Sequence, residues 1–223
     1  APGELSPTRH WTSAERAFIS MPGVVRSVEG VEEARAFPGV REVFVLAGPG
    51  RRAVFPSSNV EKAGNVIAAH ASRALAVEAA ETAASRILVR LEPGDRQTDA
   101  FLFADRSRCP HPAFTLERDE NRSALAAMPA FIGTPSAAKA GAPIGVVRLP
   151  LMDGEPFRDW HRRSLTEAVG QLADRGIITL VTASTAGAFA LGSVFWRAFL
   201  RGSVQAGAYV VDSLAGHAEV LHR

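Results

Sequence analysis

The chain of 223 residues contains little cysteine, tyrosine and lysine. It has one cysteine, Cys109, one tyrosine, and two lysines, Lys62 and Lys139. A single cysteine excludes an internal disulfide and any metal site built from several cysteines, which fits a reducing, cytoplasmic location. The 25 Lys/Arg residues nearly balance the 23 Asp/Glu residues, so the net charge is only +2. Without a basic run or aromatic surface for stacking bases, nucleic-acid binding is not expected.

An uncharged segment, residues 177–196, lies between Arg175 and Arg197. Its twenty residues would be long enough to cross a bilayer. However, it contains several Thr, Ser and Gly residues, and its first part is β-branched. We therefore interpret it as a buried strand over 177–182, a turn and a helix, and do not expect membrane insertion. Residues 1–7 show no signal-peptide pattern, and the absence of an initial Met indicates processing or a fragment.

Residues 1–94 predict an α+β unit with a small mixed sheet. Short apolar runs alternate with turn-forming Gly and Pro, as expected for strands joined by tight connections. A short helix should end at Pro38, and Ser72 should cap an alanine-rich helix. The predicted strands cover 24–28, 40–46, 64–69 and 87–91, with 53–55 pairing back across Gly48-Pro49-Gly50, and the predicted helices cover 31–37 and 73–86.

Residues 95–223 predict a second, α/β module with a short and mostly parallel sheet. Strand, helix and strand follow one another at a spacing that favours parallel pairing with a right-handed crossover. We expect the boundary between the two units near residues 92–97. The predicted strands cover 100–103, 144–149, 177–182 and 209–211, and the predicted helices cover 157–175 and 186–200.

The order of motifs in the first unit suggests a family. These motifs are Gly23-Val24-Val25, Gly30 to Ala34, Phe37 to Val43, Gly64 to Ala69, and Ala74 to Ala84. Over about residues 15–93 the pattern resembles the C-terminal subdomain of ATP-grasp ligases, nearest to the carboxylate–amine ligases that join amino acids or build peptide-like products. The resemblance implies an enzyme that phosphorylates a carboxylate with ATP and Mg²⁺, after which an amine attacks the acyl phosphate.

The residues that this chemistry needs are not evident in the sequence. Neither lysine follows a glycine-rich turn, and no phosphate-binding glycine motif is present. Glu117 and Asn121 have the residue types of a magnesium pair, but their Pro-rich surroundings favour a solvated turn. We therefore expect ATP and Mg²⁺ to bind outside this chain, on a preceding segment or a separate polypeptide that carries the rest of the ligase.

Three residues of the second unit are candidates for catalysis. Asp153, Glu155 and His161 follow the strand predicted over 144–149 and precede or open the next helix, where Asp159 would favour the positive dipole end. Because α/β sheets place ligands at the carboxyl ends of their strands, we predict that these three side chains form a site. The alternative for His161 is a structural or solvated histidine.

Two further positions could contact a ligand. Ser184 and Thr185 lie between a predicted strand and a predicted helix, where hydroxyls and backbone N–H groups can hold a phosphate or carboxylate. The alternative is ordinary helix capping. Cys109 and His111 place a thiol near an imidazole, but residues two apart around a proline generally diverge, which favours a plain loop cysteine.

Two functions follow from this pattern. The first is the C-terminal portion of an ATP-dependent carboxylate–amine ligase, with the second unit closing the active site, shaping the acceptor pocket or forming a homodimer. The second is a non-catalytic module that binds a partner or carrier protein. A third hypothesis makes residues 97–223 a separate small α/β enzyme fused behind the ligase subdomain.

Overall fold

A computed structural model describes residues 10–104, 111–133, 144–154, 156–182 and 189–216. Helices and short strands are mixed along the chain, which confirms the α/β class. The first half is built on two antiparallel sheets, where one mixed sheet was expected. Its β-strands are β1 (Thr12–Phe18), β2 (Gly23–Glu29), β3 (Val40–Val45), β4 (Arg52–Ala53), β5 (Gly64–His70) and β6 (Leu88–Leu91).

Successive strands of the first half belong alternately to two sheets. One sheet has the strand order β1-β5-β3 and the other has the order β4-β2-β6. Two helices accompany them, α1 (Val31–Arg35) and α2 (Arg73–Arg86). Helix α2 packs across β1 and β5. Its buried face consists entirely of alanines, which lets the helix backbone approach the sheet closely: Ala76, Ala79, Ala80, Ala83 and Ala84.

The second half is mainly helical around one small sheet. Its helices are α3 (Arg96–Phe103), α4 (Asp119–Ala127), α5 (Leu165–Asp174) and α6 (Ser193–Gly216). The sheet has the order β7-β10-β8-β9, in which β8 pairs parallel with both neighbours and β7 is antiparallel. These strands are β7 (Phe131–Ile132), β8 (Gly145–Val147), β9 (Thr179–Val181) and β10 (Ala190–Leu191).

The two halves are joined through strand β6 and helix α6. Arg90 of β6 forms an ion pair with Asp212 of α6, and both side chains are only 11% exposed. Nearby, Gln205 of α6 accepts a hydrogen bond from the backbone N–H of Met21 at 2.8 Å and donates one to Ser20 at 2.8 Å. One continuous apolar core runs through both halves. The expected boundary near residues 92–97 stays a prediction.

Most elements of the first half lie where the sequence predicts them, but three details differ. Strand β4 pairs with β2, so residues 53–55 do not pair back on β3. Ser72 precedes α2 without a side-chain capping bond, and its backbone N–H donates to the imidazole of His70. Leu75, expected on the buried stripe of α2, is 47% exposed, while the alanines fill that face.

The second half departs further from the sequence prediction. Residues 100–103 are helical and not a strand, because Asp95 caps α3 by accepting hydrogen bonds from the N–H groups of Gln97 and Thr98. The helix predicted over 157–175 is only α5, which begins at a capping box formed by Ser164 and Glu167. Residues 209–211, predicted as a strand, lie inside α6.

The uncharged segment 177–196 contains two short strands, β9 and β10, and the start of α6. Strand β9 is largely exposed, contrary to the prediction of a buried strand. A solvated turn was expected at Glu117 and Asn121. Instead, Asn121 lies within helix α4, and Glu117 lies just before that helix. None of the helices in the described ranges combines the length and apolar character needed to cross a membrane.

Candidate functional site at the junction of the two halves

The C-terminal end of helix α2 is capped by side chains of the second half. The carbonyl of Ser85 accepts hydrogen bonds from Arg163 at 3.1 Å and from Gln171 at 2.9 Å, and the carbonyl of Arg86 accepts one from Arg175 at 2.5 Å. A helix ends with carbonyls that lack partners inside the helix, and its C-terminus carries partial negative charge. Two arginines therefore satisfy both the hydrogen bonds and the dipole of α2.

Asp159 is the centre of the polar cluster beside this helix end. Its carboxylate accepts hydrogen bonds from the backbone N–H groups of His161 and Arg163, each at 2.9 Å. The guanidinium of Arg163 donates at 2.9 Å through Nε and lies 2.8 Å away through Nη2. The hydroxyl of Ser203 donates at 2.5 Å. A buried carboxylate with this many donors holds the 159–163 loop against α6.

The surroundings of Asp159 keep it ionised. Burial raises the pKa of its carboxyl, but the charge of Arg163 and the hydrogen bonds from Ser203 and Arg163 outweigh burial and lower the pKa below its usual range. At neutral pH Asp159 is therefore a permanent anion. It anchors the cluster and does not exchange a proton.

Ser203 bends helix α6. Its backbone has φ 51° and ψ −141°, which is not helical and is unusual for a residue with a side chain. Residue 202 is a glycine with no room for a Cβ, because an added Cβ would lie 2.1 Å from the sulfur of Met21. The bend brings the Ser203 hydroxyl to Asp159. The tertiary hydrogen bond and the close contact of Gly202 thus maintain a strained backbone.

His161 is neutral in this environment. His161 is partly buried beside the cluster. Burial lowers its pKa to about 4, and the charge of Arg163 adds to that effect while Asp159 opposes it. A histidine with so low a pKa is a weak base at neutral pH. In this conformation the cluster could at most supply a neutral imidazole as a hydrogen-bonding group.

A cavity of about 20 Å³ lies beside His161 and Ser203. Its walls come from both halves, including Ile19 and β6 on one side and Trp160 and α6 on the other. This volume corresponds to about one water molecule. The cluster in this conformation therefore has no space for a substrate and serves as a joint between the halves.

The predicted site residues are not all brought together. Asp153 is exposed, forms an ion pair with Arg148, and lies 3.5 Å from the hydroxyl of Thr166. Within the described ranges, no hydrogen bond or ion pair joins Asp153 to His161. Glu155, Ser184, Thr185 and Cys109 lie outside the described residues. The roles assigned to Asp153, Glu155, His161, Ser184 and Thr185 stay predictions.

Two members of the cluster were not predicted from the sequence. The sequence assigned no role to Arg163 or to Ser203. The sequence does carry one signal, a Gly-Ser pair inside an apolar helix, since such pairs favour kinks. Nothing local reveals that the kink points towards Asp159, which is 44 residues earlier in the chain.

A Mg²⁺-ATP site would use metal-ligating side chains and a lysine that reaches the phosphates. No group of three or more His, Cys, Asp and Glu side chains in the described ranges could hold a metal ion. Lys62 forms an ion pair with Glu15 at 2.5 Å, so its charge is already compensated. Lys139 lies outside the described residues.

Comparison with known proteins gives a match for one part of the chain. No curated protein and no solved structure matched. Residues 16–92, about a third of the chain, match the family model described as L-amino acid ligase C-terminal domain 2. This range runs from β1 to the end of β6 and includes the alanine-faced helix α2. The first half is therefore similar to an L-amino acid ligase C-terminal domain 2, which is consistent with the C-terminal region of an ATP-grasp amino acid ligase.

Proposed function

We propose that this chain is the C-terminal portion of an ATP-dependent carboxylate–amine ligase that forms a peptide bond through an acyl phosphate. The observation that carries this proposal is the match of residues 16–92 to the L-amino acid ligase C-terminal domain 2. Phosphorylation converts a carboxylate into a group with a good leaving group. ATP supplies the phosphoryl group and Mg²⁺ compensates the developing charge.

The nucleotide site is proposed to lie on the rest of the ligase, in a preceding segment or a separate chain. Two observations support this location. Among the described residues, no three metal-ligating side chains lie close enough together to hold a metal ion. Lys62 forms an ion pair with Glu15. A C-terminal domain also implies the rest of the ligase as its context.

The second half is proposed to extend the ligase domain as an attached module. Its Arg163, Gln171 and Arg175 cap helix α2, so the matched domain depends on it for the end of its longest helix. A carrier-binding module would be expected to connect through a linker with few contacts. The shared core and the buried ion pair of Arg90 favour a module that positions the ligase domain.

The test is an assay for ADP release with Mg²⁺-ATP and pairs of L-amino acids. The isolated chain should release no ADP. The chain combined with the polypeptide that carries the rest of the ligase should release ADP and form a dipeptide, detected by mass spectrometry. Hydroxylamine should trap the acyl phosphate as a hydroxamate in that mixture. Release of ADP by the isolated chain would place the nucleotide site on it, and dipeptide formation without a trappable acyl phosphate would refute the mechanism.

A further inference from the structure

A second cavity, of about 630 Å³, lies in the second half, and its lining shares no residue with the cavity beside His161 and Ser203. Helices α3, α4 and α6 and the segment 112–116 form its walls. Its volume is in the range of pockets that bind small molecules, about 300–1,000 Å³. It is therefore large enough for a ligand of several to a dozen heavy atoms, unlike the cavity beside Ser203.

Much of the cavity lining is apolar and buried. Five large side chains line it with exposures of 1–7% each: Leu102, Phe114, Leu116, Leu125 and Leu200. Phe103, which is 47% exposed, also lines it. Apolar surface of this kind stabilises the apolar part of a ligand by about 25 cal/mol per Å² removed from water.

The charged groups of the lining are all cationic. Arg122, Arg197 and Arg201 line the cavity, and none of the described lining residues is Asp or Glu. Arg122 is compensated by Asp119, at 2.7 Å, and donates to the carbonyl of Leu116 at 2.8 Å. The other two arginines have no such acidic partner among the described residues.

Arg197 and Arg201 lie four residues apart on α6, on the same face of the helix. Arg201 donates through Nη1 to the carbonyls of Phe101 at 3.3 Å and Leu102 at 2.8 Å, which orients its guanidinium. Arg197 is exposed and forms no hydrogen bond or ion pair within the part of the chain that the structure describes. Like charges at this spacing repel each other, so an anion between them would stabilise the helix.

We propose that this cavity binds a small carboxylic acid with an apolar side chain. The carboxylate would pair with Arg197 and Arg201, since the planar guanidinium group matches a carboxylate with two parallel hydrogen bonds. The side chain would lie against Leu102, Leu125 and Leu200. A fully hydrated inorganic anion could use the arginines but not the apolar lining, so we commit to the carboxylate with an apolar body. This inference does not depend on the ligase assignment.

The test is isothermal titration calorimetry of the full chain with phenylacetate and with isocaproate. We expect dissociation constants of about 1 mM or lower. The matched neutral and cationic analogues, phenylacetamide and phenethylamine, should bind at least about tenfold more weakly, because they lose the charge-assisted hydrogen bonds. Acetate and inorganic phosphate should also bind at least about tenfold more weakly, because they lack the apolar part.

Arg197→Gln should weaken phenylacetate binding by about tenfold or more, since a hydrogen bond to a charged group is lost. Arg73→Gln, at the exposed first residue of α2, is the matched control and should bind like the wild type. Ala126→Phe provides an independent variant that fills the cavity, because Ala126 is exposed and lines it. It should abolish binding while circular dichroism and the melting temperature confirm that the chain is folded.

Several results would overturn the proposal. Equal affinity for phenylacetate and phenylacetamide would remove the role of the arginines. Affinity for inorganic phosphate equal to that for phenylacetate would remove the role of the apolar lining. Wild-type affinity in folded Arg197→Gln, or no carboxylate binding up to about 10 mM, would show that the cavity is not this site.

Discussion

The two halves of the protein fill their interiors with side chains of very different size. In the first half, helix α2 contacts its sheet through five alanines. In the second half, α6 places Phe195, Trp196 and Phe199 in one cluster, with ring centroids 5.1–5.6 Å apart. An alanine face divides its packing energy over many small contacts, whereas each buried ring contributes a large share. The second half should therefore be more sensitive to single truncations.

The halves also differ in where their polar groups are satisfied. Strands of the first half pair with one another in antiparallel order, with one register shift between β3 and β5. The end of α2 instead depends on the second half, because its carbonyls accept hydrogen bonds from Arg163, Gln171 and Arg175. Asp159 in turn holds Arg163. The domain matched to the ligase family is therefore stabilised in part by contacts with the second half.

The largest expected effect is the truncation of a ring in the second core. Phe199→Ala should lower the free energy of unfolding by about 3–5 kcal/mol, because Phe199 is fully buried and a cavity would remain. Ala80→Gly, at a fully buried position of α2, should lower it by only about 1 kcal/mol. Urea unfolding of both variants measures the difference, and equal losses would contradict the contrast between the two cores.

The second-largest loss of stability is expected when the charge of Asp159 is removed. Asp159→Asn leaves Arg163 without its anion, and we expect a loss of about 2–4 kcal/mol. The value lies near the lower end for buried pairs because Arg163 keeps its bond to Ser85. Asp153→Asn, at the exposed pair with Arg148, should change stability by less than about 1 kcal/mol. A loss below about 1 kcal/mol in Asp159→Asn would show that the cluster does not hold the joint.

We expect the protein to lose stability on acidification because of His161, which lies between the two halves. The pKa of His161 is about 4 in the folded protein and 6.5 ordinarily, so the unfolded chain binds the proton more readily. Its stabilising contribution is complete above pH 6.5 and is lost as the pH falls towards 4, amounting to about 2–3 kcal/mol.

Urea unfolding at about pH 7.5 and about pH 4.5 would measure this change. His161→Gln removes the titrating group and should reduce the pH dependence between these values. His70→Gln offers a comparison, because His70 lies in the first half, away from the joint. An undiminished pH dependence in His161→Gln would contradict the assignment.

The smallest expected effect separates the two roles of Ser203. Ser203→Ala loses the hydroxyl bond to Asp159 and retains the unusual backbone, so a loss of about 1–3 kcal/mol is expected. Ser203→Gly loses the same bond but relieves the backbone, and should be more stable than Ser203→Ala by roughly 1 kcal/mol. Thermal melts of Ser203→Ala and Ser203→Gly measure this difference. If Ser203→Gly were the less stable variant, the backbone at residue 203 would not be strained.

Local signals in the sequence were sufficient for most of the first half. Its strands are short, alternate with Gly and Pro turns, and pair with near neighbours, so β2, β3, β5 and α2 could be predicted within a few residues. Strand β1 was missed because its alternation includes charged residues on the exposed face. The pairing of β4 with β2 could not be predicted, because it depends on sheet assembly and not on the adjacent turn.

In the second half, tertiary contacts outweigh local preference. Tyr209, Val210 and Val211 favour strands individually, but they are buried within α6 against the rest of the core. The start of α5 was recoverable, because Ser164 and Glu167 have the spacing of a capping box. The Asp159 cluster joins residues far apart in sequence, so its geometry could not be predicted from spacing, although His161 itself was selected.

The measurement that most directly tests the central claim is ADP release in the presence of Mg²⁺-ATP and L-amino acids. It compares this chain alone, the rest of the ligase alone, and the two together. The account predicts ADP and dipeptide only when both are present, because the matched domain covers residues 16–92 and the nucleotide site is proposed to lie elsewhere. ADP release by this chain alone, or unchanged activity of the rest of the ligase without it, would contradict the account.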